Sequence, residues 1–325
     1  MRRVECRSVE CRIVAWGASS VKVAVQLPTH RVDDFDELAS APAIAELSTA
    51  AEDAGFDAVF VTEHPFPGDR WLSSGGHHAL DAFVALSFAA AATTRIRLLT
   101  YLAIPAYRNP FLLAKTVSTL DALSGGRVVL GIGAGYLEDE FAALGASFHE
   151  RNDRTDEAIT AMRAAWTGES VTMQGAHFDA PGNTMLPAPA QPGGPPIWIG
   201  GNSRRAMRRA VELADGWAPM PSPAKASKRL HTPPLETLDD LAARIEESRA
   251  AAREHGRTTP LEYVFMPLGL DMFTNAPVDV DKTLRSLAAL REVGVTYATT
   301  TVPGDTRADL LANFATFRDE ILPGL

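Results

Sequence analysis

Two rhythms of apolar residues alternate along the chain. Residues 21–27, VKVAVQL, put polar side chains at alternate positions and stop at Pro28, as a strand does. Residues 43–55 switch to helical spacing and close on Gly55, a residue suited to a left-handed helix end. Residues 58–62 form a short continuous apolar run, the pattern of a strand buried on both faces. An alanine-rich helix over 80–93, a strand over 96–104 and a helix over 109–123 follow. The last of these has an apolar stripe of Leu112, Leu113, Val117 and Leu120. A fourth strand occupies 128–132. The order β-α-β-α-β-α-β predicts a parallel sheet covered by helices.

Two helices, 137–144 and 154–166, lead into a glycine- and proline-rich stretch, 168–196, which reads as an irregular insertion. The rhythm then resumes: strand 196–199, helix 203–214, short strand 216–219, helix 235–254, strand 262–270, helix 280–293, strand 296–301 and a closing helix over 307–321. Eight strands, each followed by a helix, predict an α/β fold of the (β/α)8 TIM-barrel type, with the insertion between strands 4 and 5. A doubly wound sheet is the alternative, because strand order cannot be read from periodicity. The barrel is expected to fill residues 21–325 as one domain. Residues 1–20 read as a loose extension, with VECR occurring twice, around Cys6 and Cys11.

Composition narrows the classes. A chain of 325 residues that is 46% hydrophobic can bury a large core. Its net charge of −9, from 40 acidic and 31 basic residues, does not supply the basic face a nucleic-acid binder needs. The longest strongly apolar stretch, residues 82–92, is well short of the ~20 residues that span a membrane. Two cysteines with no metal or disulfide spacing fit a reduced, cytoplasmic setting.

In a barrel the chemistry lies on the loops after the strands. After strand 4 comes VVLGIGAGYLEDEF, with Gly131, Gly133 and Gly135 alternating. A dinucleotide fingerprint needs G-x-G-x-x-G, and here the third glycine comes one place early, with Tyr136 next. The stretch is a cofactor turn or simply a tight strand-to-helix turn. A nicotinamide-binding Rossmann dehydrogenase is disfavoured by Tyr136. After strand 2, Glu63 and His64 bring a carboxylate and an imidazole to the mouth as catalytic candidates; an inert loop histidine is the other reading. After strand 3, Asn109 precedes Pro110 and reads first as a helix N-cap. After strand 5, Gly200, Gly201, Asn202 and Ser203 lead into a helix that starts with Arg204 and Arg205. Cations in a first turn oppose the helix dipole, so a bound phosphate or carboxylate is favoured there over a solvated face. His77 and His78 read as loop histidines, and no metal site is expected.

Three stretches together carry a family resemblance: FVTEH (60–64), RIRLLTYLAIPAYRNPFLLAKTVSTLDALSGGRVVLGIGAGYLEDEFAALG (95–145) and PPIWIGGNSRRAMRRAVELADGW (195–217). The chain resembles the luciferase-like monooxygenase superfamily and, within it, the coenzyme F420-dependent oxidoreductases of actinobacterial type. The resemblance implies a barrel holding F420, or alternatively FMN, in its mouth. His64 would lie near the ring, with Glu63 where relatives often have aspartate. A non-proline cis peptide would fall near Tyr101 and Leu102, after Thr100. Gly133, Gly135 and Tyr136 would line the cofactor, Tyr136 standing where some deazaflavin sugar dehydrogenases have a catalytic glutamate. Gly200, Gly201, Asn202, Ser203 and Arg204 would hold the cofactor phosphate, and Asn109 would add a contact. The implied activity is hydride transfer between F420 and a small organic substrate, by a homodimer. An FMN-dependent monooxygenase and a noncatalytic cofactor-binding barrel are the alternatives. Residues 65–79, 168–195 and 219–234 are expected to shape the substrate pocket, the last as a mobile lid.

Overall fold

The computed structural model describes residues 20–270 and 277–325. The duplicated tetrapeptide, Cys6 and Cys11 lie outside the described residues.

The strands are β1 (Lys22–Gln26), β2 (Ala58–Val61), β3 (Arg97–Ala103), β4 (Val128–Ile132), β5 (Val171–Gln174), β6 (Asp179–Asn183), β7 (Ile197–Gly200), β8 (Gly216–Ala218), β9 (Glu262–Phe265) and β10 (Tyr297–Thr300). The helices are α1 (Ala41–Ala54), α2 (Asp69–Leu72), α3 (Ala82–Ala92), α4 (Pro110–Ser124), α5 (Glu138–Ala143), α6 (Arg151–Ala165), α7 (Arg204–Leu213), α8 (Ser227–Leu230), α9 (Leu238–Glu254), α10 (Val280–Glu292) and α11 (Arg307–Thr316).

Eight of the strands close into a barrel in the order β1-β10-β9-β8-β7-β4-β3-β2, every neighbouring pair parallel. The doubly wound alternative is thereby excluded. Alternation along each strand divides its side chains between two cores. Val23 and Val25 of β1, and Val59 and Val61 of β2, face outward to the helices. Ala24, Ala58, Phe60, Leu99, Tyr101, Val129, Trp198, Val264 and Tyr297 fill the interior. Both faces are buried, which is why β2 reads as an unbroken apolar run.

Local signals set the element ends. Asn109 Oδ1 accepts the Phe111 N–H at 2.9 Å, capping α4 with Pro110 in its first turn. Gly55 and Gly125 end α1 and α4 in the left-handed conformation. The stretch expected to be irregular, 168–196, contains a two-stranded antiparallel hairpin, β5–β6. Its glycines and prolines hid the strands. The hairpin is held to α6 by Glu157, whose carboxylate accepts the His177 and Phe178 N–H groups. β9 stops at Phe265, short of the expected Leu270, and α9 starts at Leu238 behind a Thr237–Asp240 capping box. Residues 219–234 contain the short helix α8, and Ser222 pairs with Leu235 across the base of the loop.

Candidate active site

β2 ends at Val61, and the next residues leave the barrel at its C-terminal mouth. Glu63 turns into the protein. One of its oxygens accepts the Ile104 N–H at 2.7 Å and the other accepts from Arg108 at 2.5 Å. Burial pushes its carboxyl up, and Arg108 and the Ile104 amide pull it back. Both oxygens are thus engaged, and Glu63 ties the exit of β2 to the exit of β3.

His64 turns the other way, into an aromatic nest. Its ring centroid lies 4.4 Å from Trp71, 4.9 Å from His77 and 6.2 Å from Tyr136. Nδ1 is buried, and Glu140 Oε2 lies 3.6 Å away, too long for a formed hydrogen bond but close for an ion pair. Nε2 is not among the buried unpartnered atoms and forms no hydrogen bond among the described residues.

Glu140, on α5, is fully buried. It accepts the Phe66 N–H at 3.0 Å and the Tyr107 hydroxyl at 2.7 Å. Burial raises its carboxyl, but the His64 contact and the Tyr107 and Phe66 donors outweigh burial and leave it below the usual carboxylate range. Burial and Glu140 push Tyr107 upward and keep it protonated. Tyr136 is pushed up to about 12 by burial and then by Glu140, against the opposing charge of Arg229. Burial lowers His77, and burial, His77 and Arg31 bring His30, next to His77, down to about 4. The nest is therefore one anion, Glu140, beside protonated phenols, with burial favouring the neutral form of His77 and His30.

The alternating glycines make room for one side chain. The Tyr101–Leu102 peptide is cis. A Cβ at Gly131 would collide with Thr100 O, and one at Gly200 would collide with Leu102 Cδ1. A Cβ at Gly133 would lie 3.4 Å from Leu102 Cδ1. Leu102 thus occupies a notch left by glycines of β4, its following turn and β7. Gly135, at φ +82°, lies against Phe141 and Ile104. Thr100 is fully buried, with its hydroxyl on Gly131 O at 2.8 Å. Tyr101 points into the barrel against Phe60.

After β7, Ser203 caps α7 through the Ala206 N–H. Asn202 is buried with its bonding capacity used: Nδ2 donates to Met220 O and Pro233 O, Oδ1 accepts the Met220 N–H, and its own N–H goes to Thr232 Oγ1. Arg204, 78% exposed, pairs with Glu247 at 2.9 Å. Arg205 pairs with Asp153 and Asp156, and Arg209 with Asp156. The first-turn cations that pointed to a bound anion therefore find their counter-charges on α6 and α9. A helix pattern read alone cannot show acids brought in from other helices.

The fold brings His64, Tyr136, Leu102, Gly133, Gly135, Gly200 and Gly201 to one side of the mouth. Glu63, Thr100, Tyr101, Asn109, Asn202 and Arg204 surround it with their polar groups engaged elsewhere. Sequence reasoning missed Glu140, Tyr107, Trp71, His30 and the position of His77. Glu140 is the last of three consecutive carboxylates and the one that α5 turns inward beside Phe141. Among the described residues no group of three or more His, Cys, Asp or Glu could hold a metal, and no helix is long and apolar enough to cross a membrane. A cavity of about 440 Å³ between α4 and the hairpin, lined by Phe111, Lys115, Val171, Met185 and Leu186, is separate from this nest.

Known proteins share this fold. The family model described as luciferase-like monooxygenase matches residues 21–283. An uncharacterised protein of Mycobacterium tuberculosis is 33% identical over 241 residues, covering 70% of this chain and 77% of its own. The F420-dependent glucose-6-phosphate dehydrogenase of Beutenbergia cavernae is 31% identical over 317 residues, covering 85% of this chain and 90% of its own. The crystal structure of monooxygenase RslO1 from Streptomyces bottropensis superposes with a TM-score of 0.71 at 22% identity, over 93% of this chain and 99% of that one. Given the closed barrel and the match over most of its length, the chain belongs to the luciferase-like monooxygenase family of oxidoreductases.

Proposed function

We propose that this oxidoreductase uses coenzyme F420 and moves hydride between the deazaflavin and a small organic substrate in the barrel mouth. The observation that carries this reading is the His64 nest: an imidazole at the exit of β2 with Nδ1 turned to the buried Glu140 carboxylate and Nε2 without a hydrogen bond among the described residues. The residues present fit such a cofactor. The glycines seat Leu102, an apolar side chain on which a ring could rest, and the buried Nδ1 lacks only a small closure onto Glu140. The F420-dependent relative at 31% identity supports the cofactor class. When bound, the deazaflavin supplies the hydride chemistry.

The chain does the rest. Trp71, His77 and Tyr136 fix the His64 ring and exclude water around it. His64 Nε2 holds or delivers a proton at the ring edge, with Glu140 stabilising the imidazolium. Leu102 presents an apolar surface to one ring face. The backbone of Gly200, Gly201 and Ser203 at the head of α7 would hold the cofactor phosphate. Glu63, Asn109, Asn202 and Arg204 act by fixing the loops that carry these groups. Tyr136, held protonated, donates a hydrogen bond where a carboxylate would have accepted a proton.

An FMN-dependent monooxygenase is the second reading. The ion pairs of Arg204 and Arg205 favour it, because they occupy cations that an acidic cofactor tail would use. A single domain over 21–325 in a cytoplasmic homodimer completes the proposal. Val84 and Phe88 on α3 and Leu112 and Leu123 on α4 expose apolar surface for the dimer contact. The test is a parallel fluorescence titration with F420 and FMN, followed by hydride exchange on whichever binds. Tighter F420 binding with exchange is expected. Preference for FMN transfers the assignment to the monooxygenase, binding without exchange leaves a noncatalytic barrel, and binding of neither refutes the proposal.

A further inference from the structure

Residues 219–235, which follow β8, carry Lys225, Lys228, Arg229 and His231 and no acidic residue, in a chain of net charge −9. All four side chains are exposed, and Lys225, Lys228 and Arg229 form no ion pair among the described residues. The arginines of α7 behave differently: Arg204, Arg205 and Arg209 are matched to acids on α6 and α9, and Arg208 to Glu212 on α7 itself. The free cations of this region thus lie on one loop.

That loop is held in place. Asn202 grips both of its arms, through Met220 and Pro233, each at 2.9 Å. Ser222 and Leu235 exchange backbone hydrogen bonds at its base, and Ser227 Oγ donates to Thr232 O at 2.6 Å. His231 adopts a left-handed conformation at φ 48°, and its ring lies 5.4 Å from Phe148, on the segment joining α5 to α6. The loop therefore starts at β8, is clasped by the exit of β7 and lands beside the α5 segment that carries Glu140. The loop leaves the C-terminal end of β8, on the same rim of the parallel barrel as the glycine turn after β4, and the charge of Arg229 opposes the upward shift of the Tyr136 hydroxyl.

Like charges three and four residues apart on a helical turn repel. A solvated loop tolerates that cost. A pinned loop with three unmatched cations beside a ligand mouth is better explained by a ligand that matches them. We propose that Lys225, Lys228 and Arg229 form an anion-binding strap over the mouth, taking a phosphate or oligocarboxylate group of the molecule bound there. The inference rests on the mouth being a ligand site. The anion belongs either to the acidic tail of the cofactor or to the substrate.

The test compares the full-length protein with its Lys225→Gln/Lys228→Gln/Arg229→Gln variant, using F420, the tail-less deazaflavin chromophore and inorganic pyrophosphate as probes at low and high salt. Three exposed charge contacts predict about a tenfold or greater loss of affinity at low ionic strength, vanishing at high salt. If the loss falls on F420 and spares the tail-less chromophore, the strap holds the cofactor tail. If F420 is unaffected but pyrophosphate binding is lost, the strap holds a substrate anion. A variant that binds both F420 and pyrophosphate as wild type does overturns the proposal, as does wild-type protein that binds neither. Failure of F420 to bind, with pyrophosphate still held by wild type and not by the variant, overturns the cofactor reading and keeps the strap.

Discussion

The notch around Leu102 makes a quantitative prediction. An alanine methyl at position 200 falls where Leu102 Cδ1 sits. The methyl would also lie 3.2 Å from Leu102 Cγ and 3.3 Å from its Cδ2, so the whole side chain has to shift, and the half-buried Leu102 can do so toward the mouth. Gly200→Ala is therefore an overpacking change with partial relief, expected within the ~1–3 kcal/mol range. Leu102→Ala removes a half-buried side chain and should cost about 1.5–3 kcal/mol, below the ~2–5 for a fully buried leucine. In the double variant the vacated notch accepts the new methyl. The combined loss should then approach that of Leu102→Ala alone, a coupling of about 1–3 kcal/mol where neighbours interact. Urea unfolding of the four proteins, with midpoints compared at constant slope, measures the coupling. Cofactor titration should follow the same pattern: Gly200→Ala pushes Leu102 into the mouth and weakens binding, and the double variant recovers part of it. Costs that add to within about 0.5 kcal/mol would refute the claim that the glycines exist to seat Leu102.

Other expectations concern charge and assembly. Glu140→Gln keeps the shape of the nest but removes the anion facing His64; turnover should fall about a hundredfold, the low end of acid–base contributions, while cofactor affinity changes little. Equal loss of affinity and turnover would make Glu140 merely structural. Because the Glu140 carboxyl is depressed in the folded state, its stabilisation is complete above about pH 4.5 and is lost as pH falls through the folded value, so the variant should unfold less steeply in acid. His30, brought down to about 4 from 6.5, binds its proton more readily when unfolded, so stability should fall as pH drops from 6.5 to 4. His30→Gln should remove about 2–3 kcal/mol of that slope, read from urea midpoints at pH 7.5 and 4.5; an unchanged slope refutes the assignment. Phe88→Asp with Leu112→Asp should convert a dimer to a folded monomer by light scattering, and a dimer that persists moves the interface elsewhere.

The barrel was legible because its strands are buried on two faces and its helices on one, so the period changes at each boundary. β2 and its exit residue His64 follow from that pattern alone. The cis bond at Tyr101 came from resemblance, since nothing in the local sequence marks it. The hairpin β5–β6 escaped because Gly175, Pro181 and Gly182 break its alternation. Glu140 escaped for a different reason. Three carboxylates in a row look alike until α5 turns one of them toward Tyr107 and His64. The pairs of Arg204 and Arg205 join helices far apart in sequence, and no window on α7 contains the acids that answer them.

The unused bonding capacity of each polar group separates the ligand side of the mouth from its scaffold. Glu63, Asn202 and the N-cap oxygen of Asn109 direct their polar atoms to backbone or to Arg108; Glu63 and Asn202 each join two segments that would otherwise splay, and Asn109 caps α4. A ligand drawing on those atoms would have to break bonds that hold the loops, so they are poor recognition groups however near they lie. His64 Nε2 and the cations at 225, 228 and 229 have no such commitments. They lie on different elements of the mouth, the imidazole in the aromatic nest at the exit of β2 and the cations on the loop clasped by Asn202. A bound molecule satisfying both would be flat at one end and anionic at the other. That shape fits a deazaflavin with its acidic tail better than an arrangement in which Arg204 and Arg205 carry the anion, and it makes the neutralised strap the variant that separates the two.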